Sequence, residues 1–177
     1  MASNQALAAT PQVLGEYGDW IAYYYQDRGG IVCYMASTPK KDEGKYTKRG
    51  DIYTVITHRP SEKSFDVVNI NAGYTYKPDS KVTVKIGNKS YNRLFIDGDK
   101  AWAIDEAADK ELVTAMKRGS RMIVTGTSSK GTLTKDIRHC FRHTNPYINS
   151  IRTVIIIHKI KTERNKTMHL LFFHYLR

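Results

Sequence analysis

The sequence contains no apolar run approaching the roughly 20 residues that a membrane-spanning helix needs, so it reads as a soluble or peripheral chain, not a transmembrane one. It has neither a Gly-x-Ser-x-Gly elbow nor a His-Glu-x-x-His pair, and the common hydrolase signatures are therefore missing. Cysteine is scarce, with Cys33 and Cys140 alone. Acid is also short: 17 Asp+Glu stand against 28 Lys+Arg, a net charge of +11 that suits a nucleic acid, an anionic membrane or an acidic glycan. That shortage is local. Residues 1–136 hold 20 Lys+Arg against 16 Asp+Glu, whereas residues 137–177 hold 8 against 1 and contain neither Gly nor Ala. Most of the basicity belongs to the tail.

What is present fits one domain plus tails, since 177 residues can bury one proper core but are few for two. "SNQALAATP" sets Ala6 and Ala8 around Leu7, the small-x-small pattern of a signal-peptidase site, and residues 1–8 read as the remnant of an export signal. The body reads as short strands rich in β-branched and aromatic residues: "DWIAYYY" (19–25), "IVCYMA" (31–36), "IYTVITH" (52–58) and "FDVVNINA" (65–72). In "KVTVKIGNKSYNRLFI" Val82, Val84 and Ile86 alternate with Lys81, Thr83 and Lys85, and Gly87-Asn88 suits a tight hairpin turn. "RMIVTG" and "GTLTKD" add two strands joined through 127–130. One segment departs from this pattern: Asp105 caps a predicted amphipathic helix over 106–118, with acids in its first turns, Lys117-Arg118 in its last, and Gly119 as the stop. The predicted fold is all-β, a sandwich of about seven or eight strands with one helix. Its core is assigned to Trp20, Val82, Val84, Ile86, Trp102, Leu112, Met116, Ile123 and Val124.

Several motifs invite a chemical reading and lose it on inspection. "TGTSSKGT" is not a phosphate loop, because Lys130 precedes Gly131 instead of following it and no helix pattern comes next. "DGDKAWAIDE" (97–106) spaces acids like a calcium loop, yet Ala101 and Trp102 stand where an oxygen ligand and a glycine are needed. Cys33 and His58 are the body's candidate nucleophile and base, but a lone Cys in a strand is more often a buried packer or half of a disulfide. His139, Cys140 and His143 would need a fourth ligand such as His158 to make a structural zinc site. No catalytic, cofactor-binding or metal residue is expected, and Cys33 is the only disulfide candidate in the body.

Taken in order, "DWIAYYYQDRGGIVCYMASTP", "THRP", "GYTYK", the Asp-Gly-Asp-x-Ala-Trp-Ala run of 97–103, "AMKRGSRM" and "GTSSKGT" resemble the invasion-associated locus B family of bacterial exported proteins over about 20–136. The resemblance implies a small immunoglobulin-like β-sandwich, made with a signal peptide and found in the periplasm, the outer envelope or outside the cell. It also implies a non-enzymatic role in entry into host cells, erythrocytes among them, with a host-surface or envelope component as partner and no small-molecule substrate.

The same resemblance separates a family-like domain over 9–136 from a basic tail over 137–177. Beyond Asp136 the family continues with an aromatic-small-apolar-x-Ser-Gly strand, which Ile137-Arg138-His139-Cys140-Phe141-Arg142 does not match. Read one base later, codons for these six residues allow Tyr or Phe, then Ala, Ile, Val, Ser and Gly, so a change of reading frame accounts for the departure. The other class of function is a basic nucleic-acid- or anionic-glycan-binding module, of which the nucleic-acid binder is disfavoured because the body carries only +4 and interleaves its acids and bases.

Overall fold

A computed structural model describes residues 10–141; residues 1–8, expected to be an export-signal remnant, and the tail from 142 onward lie outside the described residues. The described chain forms twelve strands in two antiparallel sheets and one α-helix. β1 (Gln12–Tyr17), β2 (Trp20–Asp27), β3 (Gly30–Ser37), β5 (Tyr53–Arg59), β6 (Ser64–Asn71), β10 (Lys100–Ala103) and β9 (Leu94–Asp97) make a seven-stranded sheet in that order. β4 (Lys41–Gly44), β12 (Leu133–His139), β11 (Arg121–Thr127), β7 (Thr83–Ile86) and β8 (Lys89–Tyr91) make a five-stranded one. Sandwiched between them are Trp20, Met35, Ile56, Val68, Ile70, Val84, Met122 and Val124, each at most 2% exposed.

The strand count exceeds the sequence expectation because the additional strands are short or polar. β4 reads "KDEG", with no apolar residue to announce it. The predicted hairpin over 81–96 is also divided: Gly87, at φ +58, turns β7 into β8, but pairing ends at Val84 opposite Tyr91, and the chain then crosses to the other sheet as β9. Two of the expected core residues face outward. Ala101 and Ala103 occupy the inward positions of β10 beside the helix, leaving Trp102 half-buried on the outer face, and Met122 and Val124 likewise displace Ile123. The remaining seven expected core residues are buried.

Helix α1 runs Glu106–Arg118 as the capping pattern requires, and the Asp105 carboxylate accepts a 2.7 Å hydrogen bond from the Ala108 amide. Ala108, Leu112, Val113 and Met116 pack inward. Gly119 ends the helix at φ −79° by its lack of a side chain and not by a left-handed turn: a Cβ there would lie 2.4 Å from Ile86 Cγ2.

Asp109, on the buried side of α1, accepts a 2.8 Å hydrogen bond from the Val68 amide where β10 no longer pairs with β6. Burial pushes its carboxyl up to about 6. A raised acid binds a proton in the folded state that the unfolded state has released, so stability falls as pH rises from about 4 to 6 and the cost is complete above that window. Asp109→Asn keeps an oxygen acceptor for Val68 and removes the titration. It should gain on the order of 2 kcal/mol at pH 7 and flatten the pH 4–6 slope, as read by urea unfolding at the two pH values.

β12 continues past the boundary expected at Asp136. Asp136 is an interior residue of β12, whose pairing with β11 continues through Ile123↔Ile137, Met122↔Arg138 and Arg121↔His139. The indole of Trp20 donates to the His139 carbonyl at 2.9 Å and meets Phe141 edge-on at 5.2 Å. Residues 137–141 are thus held by backbone pairing and by the core. β4 covers the other side of β12, so β12 is not a sheet edge.

Candidate functional site

β2 reads "WIAYYYQD", an apolar stretch without the polar alternation of a strand that has one wet face. Its two faces are both apolar. Trp20 and Ala22 enter the core, while Ile21, Tyr23 and Tyr25 stand on the outside of the seven-stranded sheet. The sheet register extends this outer face sideways. Val13, Tyr23, Tyr34, Thr57 and Val67 lie opposite one another across β1, β2, β3, β5 and β6. A second row runs Ile21, Ala36, Val55, Asn69, Trp102 and Phe95 from β2 to β9. Neither row carries a charge over these residues; Glu16 of β1 stands opposite Ile21 at the end of the second row, and Lys100 and Asp97 lie opposite each other beside Trp102 and Phe95.

Tyr23 and Tyr34 stack at 5.0 Å, and Tyr25 meets Tyr34 edge-on at 6.2 Å. This aromatic ridge buries Tyr34 enough to raise its phenol above the usual value. Val13 at 61% and Phe95 at 49% exposure leave the ends of the rows open to solvent. The five-stranded sheet contrasts with it, its outer face carrying Lys41, Lys85, Arg121 and Lys135 among threonines. Uncharged aromatic area on an open sheet face is the composition of an interaction surface.

A polar cluster joins the two sheets inside. Arg49 makes two 2.7 Å bonds to the Asp136 carboxylate and a 2.6 Å bond to the Ala72 carbonyl, and its plane lies 4.9 Å from the Tyr74 ring. Tyr74 is in turn 2.6 Å from the Thr134 hydroxyl. Arg138, fully buried two residues along the same face of β12, donates to the Ser37 carbonyl at 2.9 Å and leaves Nε and Nη2 without a partner among the described residues. Burial pushes this guanidinium down to about 10.

Cys33 and His58 lie opposite each other on β3 and β5, a proximity their sequence separation does not show. Burial pushes the Cys33 thiol up to about 11 and the His58 imidazole below its usual value, so the thiolate is disfavoured on one side and the imidazolium on the other. That is the reverse of an activated Cys-His pair. Cys33 and Cys140 are both buried free thiols. His139 pairs with Asp19 on the surface at 2.6 Å while Cys140 points inward, and adjacent strand residues of opposite facing cannot share a metal. His143 and His158 lie outside the described residues.

Asp97 to Glu106 form a hairpin and a helix start, in which Asp99 pairs with Lys100 at 2.8 Å and Asp105 with Arg93 at 2.5 Å. Lys130 and Gly131 sit in the turn between β11 and β12, Gly131 at φ +83. Among the described residues, no group of three or more His, Cys, Asp or Glu is arranged to hold a metal, and no helix is long and apolar enough to cross a membrane. Sequence reasoning missed the Tyr23–Tyr34 ridge. Its signal was the missing alternation in β2.

Known proteins bear on this arrangement in two ways. No curated protein matches the chain. Among solved structures it is similar to the crystal structure of invasion associated protein B from Bartonella henselae, with a TM-score of 0.50 and 17% identity over 84% of this chain and 97% of that one. At that identity the likeness concerns the fold. The family model of the invasion associated locus B (IalB) protein matches residues 22–138, about two thirds of the sequence and nearly all of both sheets, so the chain belongs to the IalB family.

Proposed function

We infer that this protein is an exported, non-enzymatic binding protein of the bacterial envelope that takes part in entry into host cells, erythrocytes among them. The observation that carries this reading is the aromatic ridge of Tyr23, Tyr25 and Tyr34 on the outer face of the seven-stranded sheet, with the uncharged positions beside it, an area suited to contact with another macromolecule. Family membership supports it, as does the description of the Bartonella henselae protein as invasion associated. The inert Cys33–His58 pair supports a non-enzymatic role. The partner is a host-surface or envelope component, and the location is the periplasm, the outer envelope or the medium.

Two measurements test this. Fractionation of cells expressing the protein from its own gene should place it outside the cytoplasm; recovery in the cytoplasm overturns export. A Tyr23→Ser/Tyr34→Ser variant with an unchanged melting profile should lower host-cell entry several-fold relative to the parent, whereas full entry by that variant removes the aromatic face from the role.

A further inference from the structure

Helix α1 has a second stripe besides its buried one. Ala107, Lys110, Glu111, Thr114, Ala115 and Arg118 recur at helical spacing and form one wall of a cleft of about 650 Å³, whose other wall is the β7–β8 hairpin with Ile86, Lys89 and Tyr91. Its charges are not balanced. Lys89 is committed to Glu111 at 2.6 Å and lies 5.0 Å over the Tyr91 ring, which neutralises the only acid in the lining. Lys110 and Arg118 are exposed and make no ion pair among the described residues. They stand at opposite ends of the cleft, about 12 Å apart along the helix axis, with the Thr114 hydroxyl midway. Ile86 and Ala115 add apolar lining, with the Tyr91 ring.

We propose that this cleft binds an acidic oligosaccharide, with Lys110 and Arg118 each taking one anionic group and Tyr91 and Thr114 contacting the sugar between them. An elongated ligand is required because a compact anion reaches only one of the two cations. A hydroxyl-rich one is favoured because the cleft between the two cations offers a hydroxyl and an aromatic ring, and its remaining charges, Lys89 and Glu111, are paired with each other. The anionic groups are carboxylate or sulfate, both of which lysine and arginine accept. The site deepens the binding role proposed above and rests on it, but the two fail separately: a cytoplasmic location removes that role, while the cleft is judged by binding in solution.

The test uses the full chain, titrated with a heparin-derived hexasaccharide, a hyaluronan hexasaccharide carrying carboxylates alone, and a neutral maltohexaose, with calorimetry and backbone amide shifts as readouts. At least one acidic probe should bind, moving the Tyr91 and Thr114 amides, and maltohexaose should not. Heparin alone binding assigns the groups to sulfate; both acidic probes binding assigns them to carboxylate as well. Lys110→Ser/Arg118→Ser should weaken binding by about three- to tenfold, the range for two exposed charges. Lys85→Ser/Lys135→Ser, on the outer face of the five-stranded sheet, should leave it unchanged. The proposal is overturned if neither acidic probe binds, if maltohexaose binds equally, if the loss follows Lys85 and Lys135, or if a single-stranded oligonucleotide competes for the same residues with equal affinity.

Discussion

Replacing Arg49 by Met is expected to cost about 3–5 kcal/mol, the penalty for breaking a buried ion pair by removing one partner. Both side chains are shielded, at 4% and 3% exposure, and Arg49 supplies two bonds to Asp136 and one to the Ala72 carbonyl. Without the guanidinium, Asp136 remains an anion between two sheets with no cation in bonding distance. The pair itself is worth far less than this figure, because its formation already cost the desolvation of two charges. Arg49→Met/Asp136→Leu should therefore recover most of the loss and lie within about 2 kcal/mol of the parent in urea unfolding. If the double variant is as unstable as the single one, Arg49 acts through its packing on Tyr46 and Tyr74 and not through charge.

Arg138→Met should move stability the other way, raising it by about 1–3 kcal/mol. Arg138 is as buried as Arg49, but the carboxylate two residues before it is already occupied by Arg49, and it makes a single bond, to the Ser37 carbonyl. Two of its nitrogens are buried without partners among the described residues, a cost that an apolar side chain of similar length does not carry. A higher urea midpoint with an unchanged slope supports this; a loss beyond about 1 kcal/mol shows that the guanidinium is satisfied in solution, as by a buried water.

The position matters for the reading frame. Read one base later, the codons allow Ala at 138 and Tyr or Phe at 137, which puts a small residue inward and an aromatic one outward, as β12 requires. The frame change is therefore expected to be visible in the coding DNA. If no frame beyond Asp136 encodes an aromatic-x-apolar-x-Ser-Gly strand, Arg138 is an evolved feature of this chain.

Elements whose cause is local are legible in the amino-acid sequence. The helix is the clearest case, since Asp105, the acidic first turn, the basic last turn and Gly119 are all neighbours in the chain, and the observed limits coincide with those expected. The strands rich in Val, Ile and Tyr are legible too. β4 is not, because "KDEG" has no apolar residue and is held mainly by backbone pairing with a strand about ninety residues away, aided by the 3.8 Å Glu43–Lys135 ion pair, and neither is visible from its neighbours in the chain. The outward facing of Trp102 is also hidden: hydrophobicity assigns a Trp to the core, but α1 needs the small Ala101 and Ala103 beneath it, and alternation then places Trp102 on the other face. The break at Asp136 follows a real change in composition, yet main-chain pairing depends little on composition and carries β12 on to His139.

The amino-acid sequence by itself determined an all-β body with one capped helix, the chain's resemblance to its family, and the absence of the usual hydrolase motifs, because each depends on residues close together in the chain. Tertiary structure alone decided that the Tyr23–Tyr34 ridge faces outward, that Cys33 stands beside His58, that Arg49 finds Asp136 eighty-seven residues away while Arg138 does not, and that α1 forms a cleft with the β7–β8 hairpin. Each of these depends on which strands pair and in which register, and a shift of one residue would exchange the faces of every side chain involved.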